Sequence, residues 1–130
     1  MNTVVIGTDN EVKKTIFTLL SEQTGFKVTQ LSYEKPVLSA AIAHLEIADL
    51  IILDLTTARV STRFLISEIG EIFSRAKIIA LHIYKEMPLV NPILDAGASA
   101  YLPVDTSRSE LLDSISKVVR GEQYISKEVQ

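Results

Sequence analysis

The segment Ala48–Leu55 (ADLIILDL) constrains the fold most strongly. Leu50 to Leu53 are four aliphatic residues in a row, so an extended chain here has no polar side to turn toward water. That pattern suits a strand covered on both faces, as in a parallel sheet flanked by helices. A strand with one wet face would alternate instead. Thr3–Gly7 (TVVIG) and Lys77–Ile83 (KIIALHI) repeat the pattern, and Ala100–Pro103 (AYLP) is a shorter apolar run. Phe26–Leu31 (FKVTQL) alternates, which places it at a sheet edge.

Between these runs the period changes from two to that of a helix. A first helix is predicted from Asn10 toward Thr24, with Val12, Ile16, Leu19 and Leu20 on one stripe. Thr8 and Glu11 have capping-box spacing at its start, and Gly25 is a stop signal. A second helix is expected over roughly Pro36 to Leu45, and a third over roughly Ser61 to Ser74. The fourth holds two prolines in Met87–Ile93 (MPLVNPI). A proline in a helix interior costs ~3 kcal/mol, so Asn91 as N-cap with Pro92 at the first position is expected, giving a short or kinked helix. Ser107 and Glu110 repeat the capping-box spacing before a last helix, striped by Leu111, Leu112, Ile115, Val118 and Val119 and ended by Gly121.

Five strand–helix pairs in 130 residues predict one (βα)5 domain spanning 1–130, a flavodoxin-like doubly wound parallel sheet with strand order 2-1-3-4-5. Ligands of such sheets bind outside the carboxyl ends of the strands. The residues expected there are Thr8, Asp9 and Asn10 after the first strand, and Asp54 with Thr56 at the third. His82 follows at the fourth strand, and Val104 with Asp105 at the fifth.

Composition removes several kinds of chemistry from that short list. With no cysteine and only His44 and His82, thiol nucleophiles, Cys-based metal sites and multi-histidine centres are excluded. A net charge of −3 argues against direct nucleic-acid binding. No apolar run approaches the ~18 residues of a membrane span, and no basic stretch leads an apolar one at the start, so a soluble cytoplasmic protein with no membrane partner is expected. What remains is a carboxylate pair. Asp54 directly after a buried strand is costly unless it is at an exposed tip, paired or metal-bound. Asp9 on the adjacent strand end could share its pocket, and two carboxylates with waters suit Mg²⁺. A carboxylate beside Mg²⁺ is also a phosphoryl acceptor. A plainer reading stands beside this one: Asp9 favours a helix N-terminus and Asp54 caps the loop that follows.

Ala48–Leu55 resembles the third strand of bacterial response-regulator receiver domains of two-component systems (CheY-like). Leu94–Leu102 (LDAGASAYL) is similar to the receiver stretch between helix four and strand five. The tail, Glu110–Ile115 (ELLDSI) through Gly121–Val129 (GEQYISKEV), resembles receivers of the LuxR/NarL type, which usually precede a helix-turn-helix domain; no output domain is expected within this chain. The resemblance implies that Asp54 is the phosphoacceptor position, that Asp9 and Asp54 hold Mg²⁺, and that Tyr101 is the aromatic that changes rotamer on activation. It also shows departures. Thr8 stands where a second acidic residue is usual, His82 where a Ser or Thr contacts the phosphoryl group, and Val104 where a Lys pairs with it. Thr57–Thr62 (TARVST) replaces the usual Met-Pro-x-x-Asp-Gly run.

These losses weaken the expected Mg²⁺ site, because one carboxylate near a divalent ion is worth a few kcal/mol at an effective dielectric of ~20. Without the lysine, nothing fixed offsets the ~1.5–2 negative charges of a phosphoryl group. The expected function is therefore that of an atypical, non-enzymatic receiver in phosphorelay signalling that acts mainly as a protein-interaction module. The alternative is an active aspartyl-phosphate switch with Mg²⁺ at Asp54. Expected partners are a histidine kinase or another signalling protein, and a second copy through the face of helix four, strand five and helix five. Arg59 and Arg63 could reach back to Asp54 or form a solvated basic loop. His44 reads as a residue without function. Phe64 falls off the stripe of Leu65, Ile69, Ile72 and Phe73, so it is expected to be exposed as a contact for a partner or as a lone surface residue.

Overall fold

The computed structural model describes residues 1–8, 10–32, 48–58 and 61–130. Asp9, Arg59, His44 and the second predicted helix lie outside them. In chain order the elements are β1 (Asn2–Ile6), α1 (Glu11–Ser21), β2 (Lys27–Leu31), β3 (Leu50–Asp54), α2 (Thr62–Ile72), β4 (Lys77–His82), α3 (Met87–Asp95), β5 (Ala100–Pro103), α4 (Arg108–Val119) and β6 (Tyr124–Ile125). The strands form one sheet in the order β2-β1-β3-β4-β5-β6, and every pair is parallel. This is the flavodoxin-like order expected from the sequence, extended by the two-residue β6 at the far edge.

The alternation of each strand divides its side chains between two cores. Val4, Ile6, Ile51, Leu53, Ile78 and Ala80 meet Leu65, Ile66 and Ile69 of α2 and Val90 and Ile93 of α3. Val5, Leu50, Ile52, Ile79 and Leu81 meet Ile16, Leu19 and Leu20 of α1 and Leu111, Ile115 and Val118 of α4 on the opposite face. All of β3 is buried, which explains its lack of alternation, whereas β2 at the edge is mostly half-buried or exposed. Each fully buried Ile or Leu contributes ~1.5–3 kcal/mol of transfer free energy.

Helix ends follow the sequence in part. Ser61 and Ser107 are N-caps whose hydroxyls accept from the Phe64 and Glu110 amides. Gly97 (φ 126°) and Gly121 (φ 90°) adopt the left-handed conformation just past α3 and α4. Two expectations need correction. The N-cap of α1 is Asn10, whose Oδ1 accepts from the Lys13 amide at 3.0 Å, while the Thr8 hydroxyl bonds Thr57 instead. α3 begins at Met87, not at Pro92, and carries Pro92 inside it. Pro88 lies in the first turn, where its missing N–H costs nothing, and burying Val90 and Ile93 offsets the bond lost at Pro92.

Candidate functional site

The carboxyl ends of the central strands bring together Thr8, Asp54, Thr56, His82 and Val104. Asp54 closes β3 opposite Leu81, and His82 closes β4 opposite Pro103. The Val104 amide donates to the His82 carbonyl at 3.0 Å, and the Leu55 amide to the Leu81 carbonyl at 2.9 Å. Thr8, after β1, is tied through its hydroxyl to that of Thr57, after β3.

Asp54 is 1% exposed. Its Oδ1 accepts from both the amide (3.0 Å) and the hydroxyl (2.6 Å) of Thr56. Its Oδ2 is buried and has no hydrogen-bond partner among the described residues. The carboxylate is thus clamped by one oxygen, with the other left as a free acceptor. Gly7 makes room for it: a Cβ there would lie 3.1 Å from the Asp54 Cβ. Among the described residues no ion pair involves Asp54 or Arg63.

His82 is a neutral donor rather than a cation. Its Nδ1 accepts from the Ile83 amide at 2.8 Å, which leaves the ring proton on Nε2, and its ring lies 4.4 Å from that of Tyr84. Burial pushes its pKa down against the opposing pull of the Asp54 charge. Val104 is half-buried on the α1/α4 side, where with Leu81, Ile16 and Leu111 it lines a groove of about 580 Å³. It offers no charge to an acyl phosphate.

Tyr101 is fully buried, and its hydroxyl donates to the Tyr84 carbonyl at 2.6 Å. Burial raises its pKa far above the usual tyrosine range. Phe64 is 60% exposed on α2, as its place off the stripe predicted.

Two further residues escaped the sequence reading. Lys13 is 3% exposed, and its ammonium donates to the carbonyls of Gly7 (3.1 Å) and Leu31 (3.4 Å) at the ends of β1 and β2. Its position, three residues before Ile16 and seven before Leu20 on the buried stripe, was the available signal. Glu110, read as a capping-box member, turns its carboxylate toward residues 124–127 instead.

The donor set tests the fit of a divalent cation. Among the described residues no three His, Cys, Asp or Glu groups converge. Asp54 Oδ2 is a free carboxylate oxygen suited to a hard cation, but the Thr8 hydroxyl and the His82 Nδ1 are already engaged. The described residues thus offer one free carboxylate oxygen to a hard cation, and Asp9, the other expected ligand, lies outside them.

No family model matches the chain. It is 26% identical over 81 residues to the response regulator UvrY of Escherichia coli, an alignment covering 62% of this chain and 37% of that protein. Solved structures agree over nearly the full length. A LuxR-family two-component response regulator from Aurantimonas superposes with a TM-score of 0.81 at 17% identity, covering 98% of this chain and 91% of that one. The isolated receiver domain of RcsB from Salmonella enterica serovar Typhimurium gives 0.79 at 18% identity, covering 98% and 94%. A LuxR-family DNA-binding response regulator from Silicibacter pomeroyi gives 0.77 at 18%, covering 98% of both chains. The chain thus shares the fold of the receiver domains of these LuxR-type response regulators.

Proposed function

We propose that this domain is an atypical receiver of two-component signalling that works mainly as a protein-interaction module, with little control by phosphorylation. One observation carries the reading: around Asp54 the pocket presents a tied threonine, a neutral histidine and an apolar valine. A phosphoryl group on Asp54 would bring ~1.5–2 negative charges into a buried pocket without a fixed cation from β5. A ligand or modification shifts a two-state equilibrium only by its differential affinity for the two states, and the usual contacts that supply this difference are replaced. Mg²⁺, if bound, would be held weakly through Asp54 and Asp9, and would supply charge neutralisation at the acceptor oxygen.

In this reading the domain is not an enzyme. It acts in the cytoplasm, binds a histidine kinase or another signalling protein through a fixed surface, and contacts neither nucleic acid nor membrane directly. Among the described residues no helix is long and apolar enough to cross a membrane. The exposed Phe64 ring is a candidate contact, since aromatic anchors dominate many interfaces. The free Asp54 Oδ2 favours the second reading, an active aspartyl-phosphate switch. Partner affinity of wild type and Asp54→Asn, with and without acetyl phosphate, separates the two. Equal affinities support the constitutive module, and a tenfold Asp54-dependent change supports the switch.

A further inference from the structure

The edge of the sheet beyond β5 is covered by residues 124–130 of the same chain. The Tyr124 amide donates to the Ser99 carbonyl (3.1 Å) and the Ser126 amide to the Tyr101 carbonyl (2.9 Å), which adds β6 to β5. The segment then crosses to the start of α3. There the Gln130 amide donates to the Lys85 carbonyl (2.9 Å), and the Gln130 main-chain oxygen accepts from the Met87 amide (2.7 Å). Val129 packs on the α2/α3-side core, and Lys85 lies 3.9 Å from Glu128.

One carboxylate gathers this segment. Glu110 accepts from the Tyr124 hydroxyl (2.7 Å), the Ser126 hydroxyl (2.9 Å) and the Lys127 amide (3.2 Å), and from Thr106 on its own side (3.0 Å). The connection between β4 and α3 is consequently held from two directions. Tyr101 takes the Tyr84 carbonyl from within, and Gln130 takes the Lys85 carbonyl and the Met87 amide from outside. The Met87 bond also satisfies a helix N-terminal amide that has no side-chain cap, since Glu86 provides none.

We propose that residues 124–130 form an intramolecular strap, latched by Glu110, that fixes the inward Tyr101 ring and the start of α3 independently of the state of Asp54. The strap deepens the constitutive reading of the preceding section and rests on it, because it replaces phosphoryl control of this region with a permanent internal contact. It also occupies the β5 edge, so a partner or a second copy docking on the face of α3, β5 and α4 meets the strap rather than a bare strand.

The test uses the full chain and amide hydrogen exchange read by NMR in wild type, Glu110→Gln and Glu110→Ala. Glu110→Ala is expected to lower protection of the Ser126 and Met87 amides at least tenfold and to shift the Tyr101 ring signals, with the β3 amides of Ile51 and Ile52 unchanged. Glu110→Gln, which keeps a carbonyl acceptor, should fall between. Three results overturn the strap: no loss at Ser126, loss at Ser126 with Met87 still protected, or an equal loss in β3, which would mean global opening. Adding acetyl phosphate with Mg²⁺ to wild type tests the underlying reading separately. Opening of the Met87 amide in that arm, abolished by Asp54→Asn, refutes constitutive action and with it the strap's independence of Asp54, whereas the Glu110 latch itself stands or falls on the Glu110 variants.

Discussion

Replacing Asp54 by Asn should stabilise the domain. Asp54 is 1% exposed, and among the described residues its charge is met by two hydrogen bonds, both from Thr56 to Oδ1, with no partner for Oδ2. An incompletely compensated buried carboxylate costs several kcal/mol even after relaxation. In Asp54→Asn the side-chain oxygen keeps both Thr56 donors, though each bond weakens by about 1 kcal/mol on losing its charge assistance. The amide N–H₂ in place of Oδ2 adds a further cost of about 1 kcal/mol as an unsatisfied donor. Removal of the charge is the larger effect, and the net gain should be about 1–2 kcal/mol. At an unfolding entropy of about 2.1 cal/mol/K per residue, that gain raises Tm by about 4–7 °C for a chain of 130 residues. Thermal and urea unfolding followed by circular dichroism at pH 7 measure it. A Tm equal to or below wild type would refute the argument, since it would mean that Asp54 is fully compensated in the folded state.

Further expectations follow from other parts of the structure. Pro92→Ala restores a helical N–H at an exposed position inside α3 and should stabilise the domain by about 1–2 kcal/mol in urea unfolding, the ~3 kcal/mol helix term being partly offset by a freer unfolded chain. Thr8→Asp adds a carboxylate beside Asp54 and should tighten Mg²⁺ binding at least tenfold by calorimetric titration; equal affinity would show that carboxylate number is not limiting. His82 has a pKa held below its unfolded value, so its contribution is complete above about pH 6.5 and is lost as pH falls through the folded value. Unfolding free energies measured from pH 7.5 downward should therefore decline more steeply in wild type than in His82→Asn. Burial alone would raise the Glu110 carboxyl, but bonds from Tyr124, Lys127, Ser126 and Thr106 hold it below the usual range. Its latch should accordingly persist below the normal glutamate pKa and fail only in stronger acid, as read by Ser126 exchange.

The central sheet was legible because β1, β3 and β4 are buried on both faces, and short aliphatic runs bounded by turn signals match such strands in length and composition. The site at their carboxyl ends followed from topology alone, and Thr8, Asp54, His82 and Val104 fall there. Local signals misled where tertiary contacts outweighed them. Pro92 reads as a helix start, yet Val90 and Ile93 are buried at 0% and 2% exposure, and packing draws the helix back to Met87. Thr8 has capping-box spacing, but its hydroxyl meets Thr57 across the strand ends, 49 positions away. Glu110 has the same spacing and does sit in the first turn of α4, while its carboxylate serves residues 14 to 17 positions later. No local pattern reveals such pairing. β6, at two residues, is too short to carry a periodicity at all.

Intact-protein mass spectrometry after incubation with acetyl phosphate and excess Mg²⁺, run on wild type and Asp54→Asn with fast acid quenching, addresses the degenerate pocket most directly. Thr8, neutral His82 and Val104 around the acceptor predict no more than a trace of phosphoryl adduct on either protein. A near-stoichiometric adduct on wild type that Asp54→Asn abolishes would contradict the account and identify the domain as a working aspartyl-phosphate switch.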